Sequence, residues 1–296
     1  MHNGIAVRRR KLGAELRRLR SLTGLTSGEA ARLMGWHQSK VSRIETGRSG
    51  LRPSDAERLL DAYGVTDDAL RTLLTALCGR GARGARTAAR REWWHAYGEL
   101  LPPAYRDFLS LEAEAAHART LETMVVPGLL QTPDYARAAT AAALTGLPQE
   151  KIDALVEVRI ARQSVLRGSR PLEVSAVLDE AVLRRPVGGP EVMAAQVRHL
   201  LEMSRLPHIR LQIMPFSAGP HIGITGPFVI LSFPLTPDLD VVVLDHLVSS
   251  LHLARKEELR AYGDAFATLR ADALPYAESR EVLARFAGLQ RDDGSG

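Results

Sequence analysis

Cysteine and long apolar segments are scarce in this sequence, and each scarcity excludes a class of protein. Cys78 is the single cysteine in 296 residues, so no internal disulfide can form and a secreted disulfide scaffold is excluded. The longest apolar runs, residues 228–233 and 241–248, are far shorter than the ~20 residues that span a bilayer. The basic residues near the N-terminus precede no apolar signal segment. These observations predict a soluble cytoplasmic protein without a membrane partner.

Sequence motifs of catalysis and metal binding are missing as well. There is no G-x-S-x-G, no phosphate-binding loop followed by lysine and no dinucleotide fingerprint. Six side chains of the C-terminal part are candidates for a metal or hydrolytic cluster, but no ligand spacing supports them: Asp179, Glu180, His221, Asp245, His246 and His252. We expect no catalytic residue, no metal and no cofactor. The alternative is an enzyme with a DNA-binding appendage.

Positive charge is abundant in only one third of the chain. The whole sequence has a net charge of +5. Residues 1–91 contain 19 Lys+Arg and 8 Asp+Glu, a net of +11, whereas residues 92–296 contain 20 and 26, a net of −6. A basic part joined to an acidic part indicates a polyanion-binding head on a body with a different task.

Apolar spacing and glycine stops predict five helices in the first 78 residues. Leu12, Leu16 and Leu19 recur at helical spacing before Gly24, and shorter helical segments end at later glycines. Hydroxyl residues followed three positions later by Glu predict capping boxes at Thr26 and Ser54. Thr66 is expected to cap the fifth helix.

The second and third predicted helices have the pattern of a helix-turn-helix motif. Such a helix pair needs a small contact residue, which is Ala31, and a turn residue that tolerates positive φ, which is Gly35. We expect Trp36, Val41 and Ile44 to be buried. The polar residues of the third helix are then left to point outward: Gln38, Ser39, Lys40, Ser42 and Arg43.

Residues 12–64 resemble the helix-turn-helix of phage repressors and Xre-type regulators. The resemblance rests on Leu25-Thr26, on Ala31 and Gly35, and on the run Ser39-Lys40-Val41-Ser42-Arg43-Ile44-Glu45-Thr46-Gly47. It implies an all-α, five-helix, repressor-like domain whose third helix enters the major groove of double-stranded DNA. It also implies an ion pair between Arg20 and Glu45 that ties the first helix to the third.

The same resemblance places Gln38, Ser39, Lys40 and Arg43 where the family reads base edges. Gln38 can form two hydrogen bonds with adenine, and Arg43 or Lys40 with guanine, each pair giving roughly 1–3 kcal/mol of discrimination. Two residues of this sequence depart from the pattern of the family. Ser27 stands where the family often has Gln, and His37 stands where Ser or Thr caps the third helix, which predicts a weaker cap.

Other side chains of the motif are expected to contact the DNA backbone. Ser39 and Ser42 are suited to phosphate contacts, and Arg48 and Arg52 follow Gly47 in a loop where the family meets the backbone. These arginines would add affinity that depends on salt and not on base sequence.

A linker and a second domain are expected after the head at residues 1–78. Residues 79–92 contain three glycines and five arginines, which indicates either a solvated hinge or an arm that follows DNA. Trp93 and Trp94 are expected to begin the core of a domain at 93–290, before a frayed tail at 291–296.

The pattern of the second domain is mixed α+β, with a small, mostly antiparallel sheet. Alternation and β-branched residues predict strands at 172–178, 208–214, 228–233 and 239–247. Helical spacing predicts helices at 105–125, 133–144, 149–166, 191–203, 257–274 and 279–289.

Residues 93–286 resemble an uncharacterised domain that follows such DNA-binding heads in many actinobacterial regulators. The matching stretches are 122–136, 178–184, 213–216 and 226–228. Regulators of this type often neighbour small partner proteins and have been described as antitoxin-like. Within the first stretch, residues 127–132 are interpreted as a turn with buried Leu129 and Leu130, the alternative being a partner-binding turn.

Together these observations predict a sequence-specific DNA-binding transcriptional regulator that is α+β overall. Its C-terminal domain is expected to dimerise and to bind an effector or a partner protein, since repressor-like heads bind paired half-sites. The alternative is an antitoxin-like interaction module that captures a small partner protein and binds DNA for autoregulation.

Overall fold

A computed structural model describes residues 4–78, 97, 100–234, 240–246 and 249–288 of the chain. Several features predicted from sequence lie outside these residues, namely the arginine-rich linker at 79–92, the tryptophans Trp93 and Trp94, and the tail at 291–296.

The five helices predicted for the head are confirmed. They are α1 (Gly4–Leu22), α2 (Ser27–Met34), α3 (Gln38–Glu45), α4 (Pro53–Ala62) and α5 (Asp68–Leu77). Their apolar stripes meet in one core, where Leu16, Leu59, Leu60 and Leu74 are almost completely buried. Helices this short gain most of their stability from such packing and little from intrinsic propensity.

Of the three N-caps predicted for helices of the head, one is confirmed. Thr26 forms the predicted capping box, because its hydroxyl accepts from the Glu29 amide at 3.2 Å and the Glu29 carboxylate accepts from the Thr26 amide at 2.7 Å. The Thr26 hydroxyl also donates to the Glu29 carboxylate at 2.7 Å, and the bonds that this carboxylate accepts from the Thr26 hydroxyl and amide lower the pKa of Glu29.

The other two predicted caps were wrong. Helix α4 begins at Pro53 with Arg52 as its N-cap, so Ser54 already lies inside the helix. Asp67 caps α5 in place of Thr66, with its carboxylate accepting from the amides of Ala69 and Leu70. A carboxylate is favoured there because it also interacts with the positive end of the helix dipole.

The rest of the chain alternates helices and strands. The helices are α6 (Pro103–Glu114), α7 (Pro133–Ala143), α8 (Gln149–Arg162), α9 (Ala181–Arg184), α10 (Pro190–Met203), α11 (Lys256–Asp272) and α12 (Tyr276–Phe286). The strands are β1 (His117–Glu122), β2 (Glu173–Asp179), β3 (Ile209–Met214), β4 (Phe228–Ser232), β5 (Val241–His246) and β6 (Ser249–Leu253). They form a six-stranded sheet in the order β3-β2-β1-β4-β5-β6, so the mixed α+β fold class is confirmed.

The sheet contains both parallel and antiparallel strand pairs. β1 pairs with β2 and β2 with β3 in parallel, and β5 with β6 is antiparallel. The connections explain the parallel pairs: helices α7 and α8 lie between β1 and β2, and α10 lies between β2 and β3. Parallel neighbours need such long helical crossovers, whereas a short turn suffices for an antiparallel hairpin.

One predicted helix was wrong in its second half, and one strand was not predicted. The expected helix at 105–125 ends at Glu114, and residues 117–122 form β1. The apolar residues there are too few to separate helical from alternating spacing, so pairing with β2 decides the conformation. The strand that was not predicted is β6. It follows β5 after a very short connection, so the sequence pattern did not separate the two strands.

The chain divides into two compact units. The first contains residues up to 116 together with 231–255, and the second contains 117–230 and the residues from 256 onward. Within the first unit, α1 packs against α3, α6 and β6. The helix that opens the head therefore belongs to a larger core than that of α1–α5 alone. The domain limits predicted from sequence stay a prediction.

The acidic excess of the C-terminal part is confined to segments of the first unit. Residues 92–116 and 231–255 together contain 8 Asp+Glu and 2 Lys+Arg. Residues 117–230 and 256–296 together contain 18 residues of each sign. The second unit is therefore electrically neutral. None of the helices in the described part of the chain is long and apolar enough to cross a membrane.

His252 is expected to make the stability of the protein depend on pH. Its ring is 3% exposed on β6, and neither ring nitrogen has a hydrogen-bond partner among the described residues. Burial lowers its pKa, although nearby Asp245 opposes the shift. Below the unfolded pKa of about 6.5 the unfolded chain binds a proton that the folded chain does not. Stability should therefore be complete above that pH and fall as the pH decreases towards the folded pKa.

The variant His252→Leu should reduce this dependence. We expect a smaller loss of unfolding free energy between about pH 7.5 and pH 5.5 than in the unchanged protein, measured by urea denaturation. Some dependence should remain, because burial also lowers the pKa of His199. Equal slopes for both proteins would contradict this account of His252.

Candidate DNA-binding surface

The turn between α2 and α3 has the geometry that the sequence predicted. Gly35 has φ of 66°, a left-handed conformation that glycine adopts without a steric cost. The amide of Trp36 donates to the carbonyl of Ala31 at 2.8 Å, which closes the end of α2. Ala31, Val41 and Ile44 are buried, so α3 is fixed against the head by its apolar side.

The opposite side of α3 is polar and exposed. Gln38, Ser39, Ser42 and Arg43 are all exposed, as the helix-turn-helix interpretation predicted. Spacing explains their common orientation, since residues three and four apart lie on the same side of a helix. The helix therefore presents amide, hydroxyl and guanidinium groups to the solvent on one side.

Gln38 is oriented by a residue of the neighbouring helix. Its Nε2 donates a hydrogen bond to the Ser27 hydroxyl at 3.1 Å. Ser27 was noted in the sequence only as a departure from the family. The contact leaves the oxygen and the second N–H of the Gln38 amide directed away from Ser27. An amide presenting both groups is what the two-bond recognition of adenine requires.

Lys40 is held by contacts within the head. Its Nζ lies 3.5 Å from the centre of the Trp36 ring and 3.8 Å from Oδ2 of Asp55. Trp36 was expected to be buried, and this prediction was wrong, because its side chain is partly exposed. Lys40 covers one face of its ring. Reading a base with Lys40 would require the ammonium to leave both partners.

The Arg20–Glu45 ion pair implied by the resemblance is present. Nε and Nη2 of Arg20 donate to the two Glu45 oxygens at 2.6 and 2.9 Å, and Nη1 donates to the Leu25 carbonyl at 2.6 Å. The two side chains are only 12% and 7% exposed. The hydrogen bond with Glu45 raises the pKa of Arg20, although burial opposes it.

Tyr63 lies in the electrostatic field of this ion pair. Burial, followed by the negative charge of Glu45, raises the pKa of Tyr63 to about 12. Its hydroxyl is buried and has no hydrogen-bond partner in the described part of the chain. The phenol therefore stays neutral beside the pair at physiological pH.

Gly13 permits a close contact between α1 and α3 that sequence reasoning missed. A Cβ atom at this position would lie 2.3 Å from the carbonyl oxygen of Ile44 and 2.7 Å from that of Glu45. Only glycine fits there without a shift of backbone. The signal in the sequence was a glycine inside a strongly helical segment, which usually has a packing reason.

Arginines surround the loop that follows α3. The amides of Arg48 and Ser49 both donate to the Arg43 carbonyl, at 2.8 and 3.0 Å, so the loop folds back on the end of the helix. Arg48 and Arg52 are exposed, as predicted. The Arg9 guanidinium of α1 also reaches this loop, since its Nη2 lies 3.5 Å from the point where a Cβ atom at residue 50 would lie. The cap of α3 is weak, because His37 forms no side-chain capping bond.

Two of the six acids and histidines considered as a metal or hydrolytic cluster are joined in the structure. No group of three or more His, Cys, Asp or Glu within the described ranges is arranged to hold a metal ion. Among the six candidates, Asp179 and His221 are joined by a contact of 3.3 Å between Oδ2 and Nε2. Asp245 accepts a short hydrogen bond from the Ser250 hydroxyl.

Both ring nitrogens of His221 have structural partners. Nδ1 accepts from the Gly223 amide at 3.1 Å, which assigns the proton to Nε2 beside Asp179. The other oxygen of Asp179 accepts from the Ala181 amide at 2.8 Å. The pair thus fastens residues 221–223 to the end of β2.

The turn at residues 126–132 is fixed by buried amides. Leu129 and Leu130 are buried, as predicted. The Gln196 amide bridges this turn, since its Nε2 donates to the Leu130 carbonyl and its Oε1 accepts from the Thr132 amide, both at 2.7 Å. Gln131 and Gln163 supply further bonds to the same turn. Every one of these contacts is structural, which favours the turn interpretation.

The head matches a known domain. Residues 11–74 match the model of a helix-turn-helix domain, in agreement with the geometry of α2 and α3. The chain is therefore a helix-turn-helix protein, a class that indicates a DNA-binding regulator.

The remainder of the chain defines its family. Residues 105–285 match a domain of unknown function (DUF5753), and the chain belongs to that family. No curated protein and no solved structure matches the chain.

A side chain at position 13 should destabilise the head. We expect Gly13→Ala to lower the free energy of unfolding by about 1–3 kcal/mol, because the new methyl group would overlap the carbonyls at the end of α3. Gly28→Ala is the matched control: its Cβ would meet nothing nearer than the Thr26 hydroxyl at 3.9 Å. That change should be neutral or stabilise by up to ~1 kcal/mol. Urea denaturation followed by circular dichroism separates the two results.

Breaking the Arg20–Glu45 pair from one side should be costly. We expect Glu45→Leu to lower the free energy of unfolding by about 3–5 kcal/mol, because it leaves a buried guanidinium without its partner. The double variant Arg20→Met/Glu45→Leu should recover most of this loss. Asp61→Ala breaks the Arg71–Asp61 pair, whose acid is 66% exposed, and serves as a control with an expected cost below about 1 kcal/mol. A double variant as unstable as Glu45→Leu would contradict the prediction.

Proposed function

We propose that the protein is a sequence-specific transcriptional regulator of the Xre type that reads the DNA major groove with α3. The observation that supports this most strongly is the two-sided character of α3. Its apolar side is anchored by Val41 and Ile44, and its polar side is exposed along the whole helix. Surface helices are commonly amphipathic, but here the polar side belongs to the second helix of a helix-turn-helix motif and carries an amide and a guanidinium suited to base edges.

Gln38 and Arg43 are the proposed base-reading residues. The Ser27 contact holds the Gln38 amide in an orientation suited to adenine, and the exposed Arg43 guanidinium is suited to the two acceptors of guanine. Ser39 and Ser42 lie beside them and are assigned to phosphate contacts. Lys40 is assigned a secondary role, because Trp36 and Asp55 hold it in the free protein.

Arg9, Arg48 and Arg52 are the proposed backbone contacts. Phosphate contacts fix the register of the head on the duplex without reading sequence. They also make affinity fall with increasing salt, because counterions are released from the DNA when the protein binds. Since Arg9 belongs to α1, this surface extends beyond the helix-turn-helix motif itself.

A homodimer is the proposed active form, with the C-terminal part responsible for dimerisation and for binding an effector or partner. Two heads can then occupy half-sites one helical turn apart. We also propose that the protein is not an enzyme, which the structural use of both His221 nitrogens supports. A protein of this function acts where the DNA is, so its proposed location is the cytoplasm.

A second candidate function is that of an antitoxin-like module that captures a small basic partner protein. It is favoured by the acidic excess of residues 92–116 and 231–255, which contain 8 acidic and 2 basic residues. In that case DNA binding serves autoregulation, and both functions use the same head. Co-purification with the product of a neighbouring gene would favour this candidate.

The first function is tested by selecting bound sequences from a random DNA pool and measuring variants on the selected site. Gln38→Ala and Arg43→Ala should each reduce the preference for the selected site by about 1–3 kcal/mol, with little change in non-specific binding. Arg48→Ala and Arg52→Ala should weaken binding to all sequences and lower the slope of log affinity against log salt by about 1 each. Arg198→Ala, an exposed arginine of α10, is the control and should change neither quantity.

Two results would overturn the proposal. The first is an affinity for DNA that does not change with salt concentration, since a basic head must release counterions. The second is a failure of the random pool to converge on any sequence while the protein remains folded.

A further inference from the structure

Exposed apolar side chains of the second unit are concentrated at one edge of its sheet. Four of them lie on two loops: Met124 follows β1, and Phe216, Ile222 and Ile224 follow β3. We call these four residues the apolar rim. Ile224 is 84% exposed, and the other three are about half exposed. Exposure of several large apolar side chains close together costs free energy unless a partner covers them.

Hydrogen bonds hold the rim in place. The Phe216 amide donates to the Glu180 carboxylate at 2.9 Å, and His221 bridges Asp179 and the Gly223 amide. A Cβ at Gly223 would lie 2.7 Å from Leu121 of β1, so this loop rests directly on the sheet. The rim is therefore a preorganised surface, and little conformational entropy is lost when it binds.

Charges of both signs border the rim. The Arg184 guanidinium lies 5.5 Å from the ring centre of Phe216 and forms an ion pair with Glu180. Arg185 contacts the sulfur of Met124 at 3.7 Å. The acids Asp179 and Glu180 belong to the same segment as these two arginines. Glu180 is only 14% exposed and is paired with Arg184, so the charges of the border are largely balanced within one copy.

We propose that the apolar rim is the surface through which a second copy of this chain binds, forming the homodimer. The proposal rests on the proposed function, which requires two heads on paired half-sites. A two-fold dimer brings the same surface of each copy together, so that surface must be self-complementary. An apolar centre whose bordering charges are largely balanced within each copy meets this condition, because little unpaired charge opposes the second copy.

Net charge favours this occupant over a strongly charged partner. Residues 117–230 and 256–296 contain 18 acidic and 18 basic residues, so two copies can meet there without net repulsion. Residues 1–91 have a net charge of +11, and a contact between two heads would be repulsive away from DNA. The neutral unit is therefore the part of the chain in which self-association costs least.

Sedimentation equilibrium of the full chain tests the proposal. We expect the unchanged protein to dimerise, and Phe216→Asp and Ile224→Asp to weaken dimerisation at least about tenfold, because each would bury a carboxylate in an apolar contact. Leu144→Asp is the matched control, since Leu144 is an exposed apolar residue of the same unit outside the rim. It should leave the dimer intact. A monomeric unchanged protein, or an Ile224→Asp variant that dimerises as well as the control, would overturn the proposal.

Alkylation provides a second measurement that does not depend on an acidic substitution. Ile224→Cys places a thiol on the exposed rim, and the native Cys78 is buried. Iodoacetamide should label this thiol about tenfold more slowly in the dimer than in diluted monomer, whereas Leu144→Cys should show no such protection. Equal labelling of Ile224→Cys at both concentrations would mean that no second copy covers the rim, and would overturn the proposal.

DNA binding distinguishes a failure of this proposal from a failure of the proposed function. The Ile224→Asp variant should still bind a single half-site with unchanged salt dependence and lose the tighter binding to paired half-sites. If the chain dimerises through the rim and binds no DNA, the interface stands and the proposed function fails. If DNA is bound and Ile224→Asp remains a dimer, the function stands and the interface fails.

Discussion

The position of the recognition helix depends on one junction, where α1 crosses the C-terminal end of α3. At Gly13 the two backbones approach so closely that a single methyl group would overlap the carbonyls of Ile44 and Glu45. Two helical turns further along α1, Arg20 binds both oxygens of Glu45 and also the carbonyl of Leu25. The ion pair is buried, so its geometry is specific even where its net contribution to stability is small. Steric fit and charge pairing thus fix α3 from the same side.

Because α3 is anchored in this way, its exposed side can remain polar without a cost in stability. Gln38 is oriented by Ser27, and the loop after the helix is tied to the Arg43 carbonyl, so several groups are held in fixed directions before DNA is present. Preorganised polar groups lose less entropy on binding than flexible ones. Since α1 also packs against α6 and β6, the same helix links the head to residues that lie outside the helix-turn-helix domain.

The C-terminal part contains features of two kinds. Its most conspicuous sequence segment, residues 126–132, is a rigid turn in which glutamine amides satisfy buried carbonyls. Such a turn supports the fold, since unsatisfied backbone groups would be costly there. The polar pair of Asp179 and His221 has a similar role at the end of β2. What these contacts leave exposed is the apolar rim, which the sequence did not reveal because its residues are distant from one another along the chain.

The sequence by itself determined the properties that depend on local spacing and on composition. Five head helices, the Thr26 capping box, the Gly35 turn and the outward side of α3 all follow from residues a few positions apart. Only the tertiary structure decided the properties that join distant residues. The strand at 117–122 formed in place of a helix because β2 pairs with it, and the parallel direction of β1–β3 follows from the helical crossovers. The role of Gly13 and the engagement of Lys40 by Trp36 and Asp55 were likewise beyond sequence reasoning. Local propensity differs by only about 1 kcal/mol per residue, so contacts between distant segments decide wherever that preference is weak.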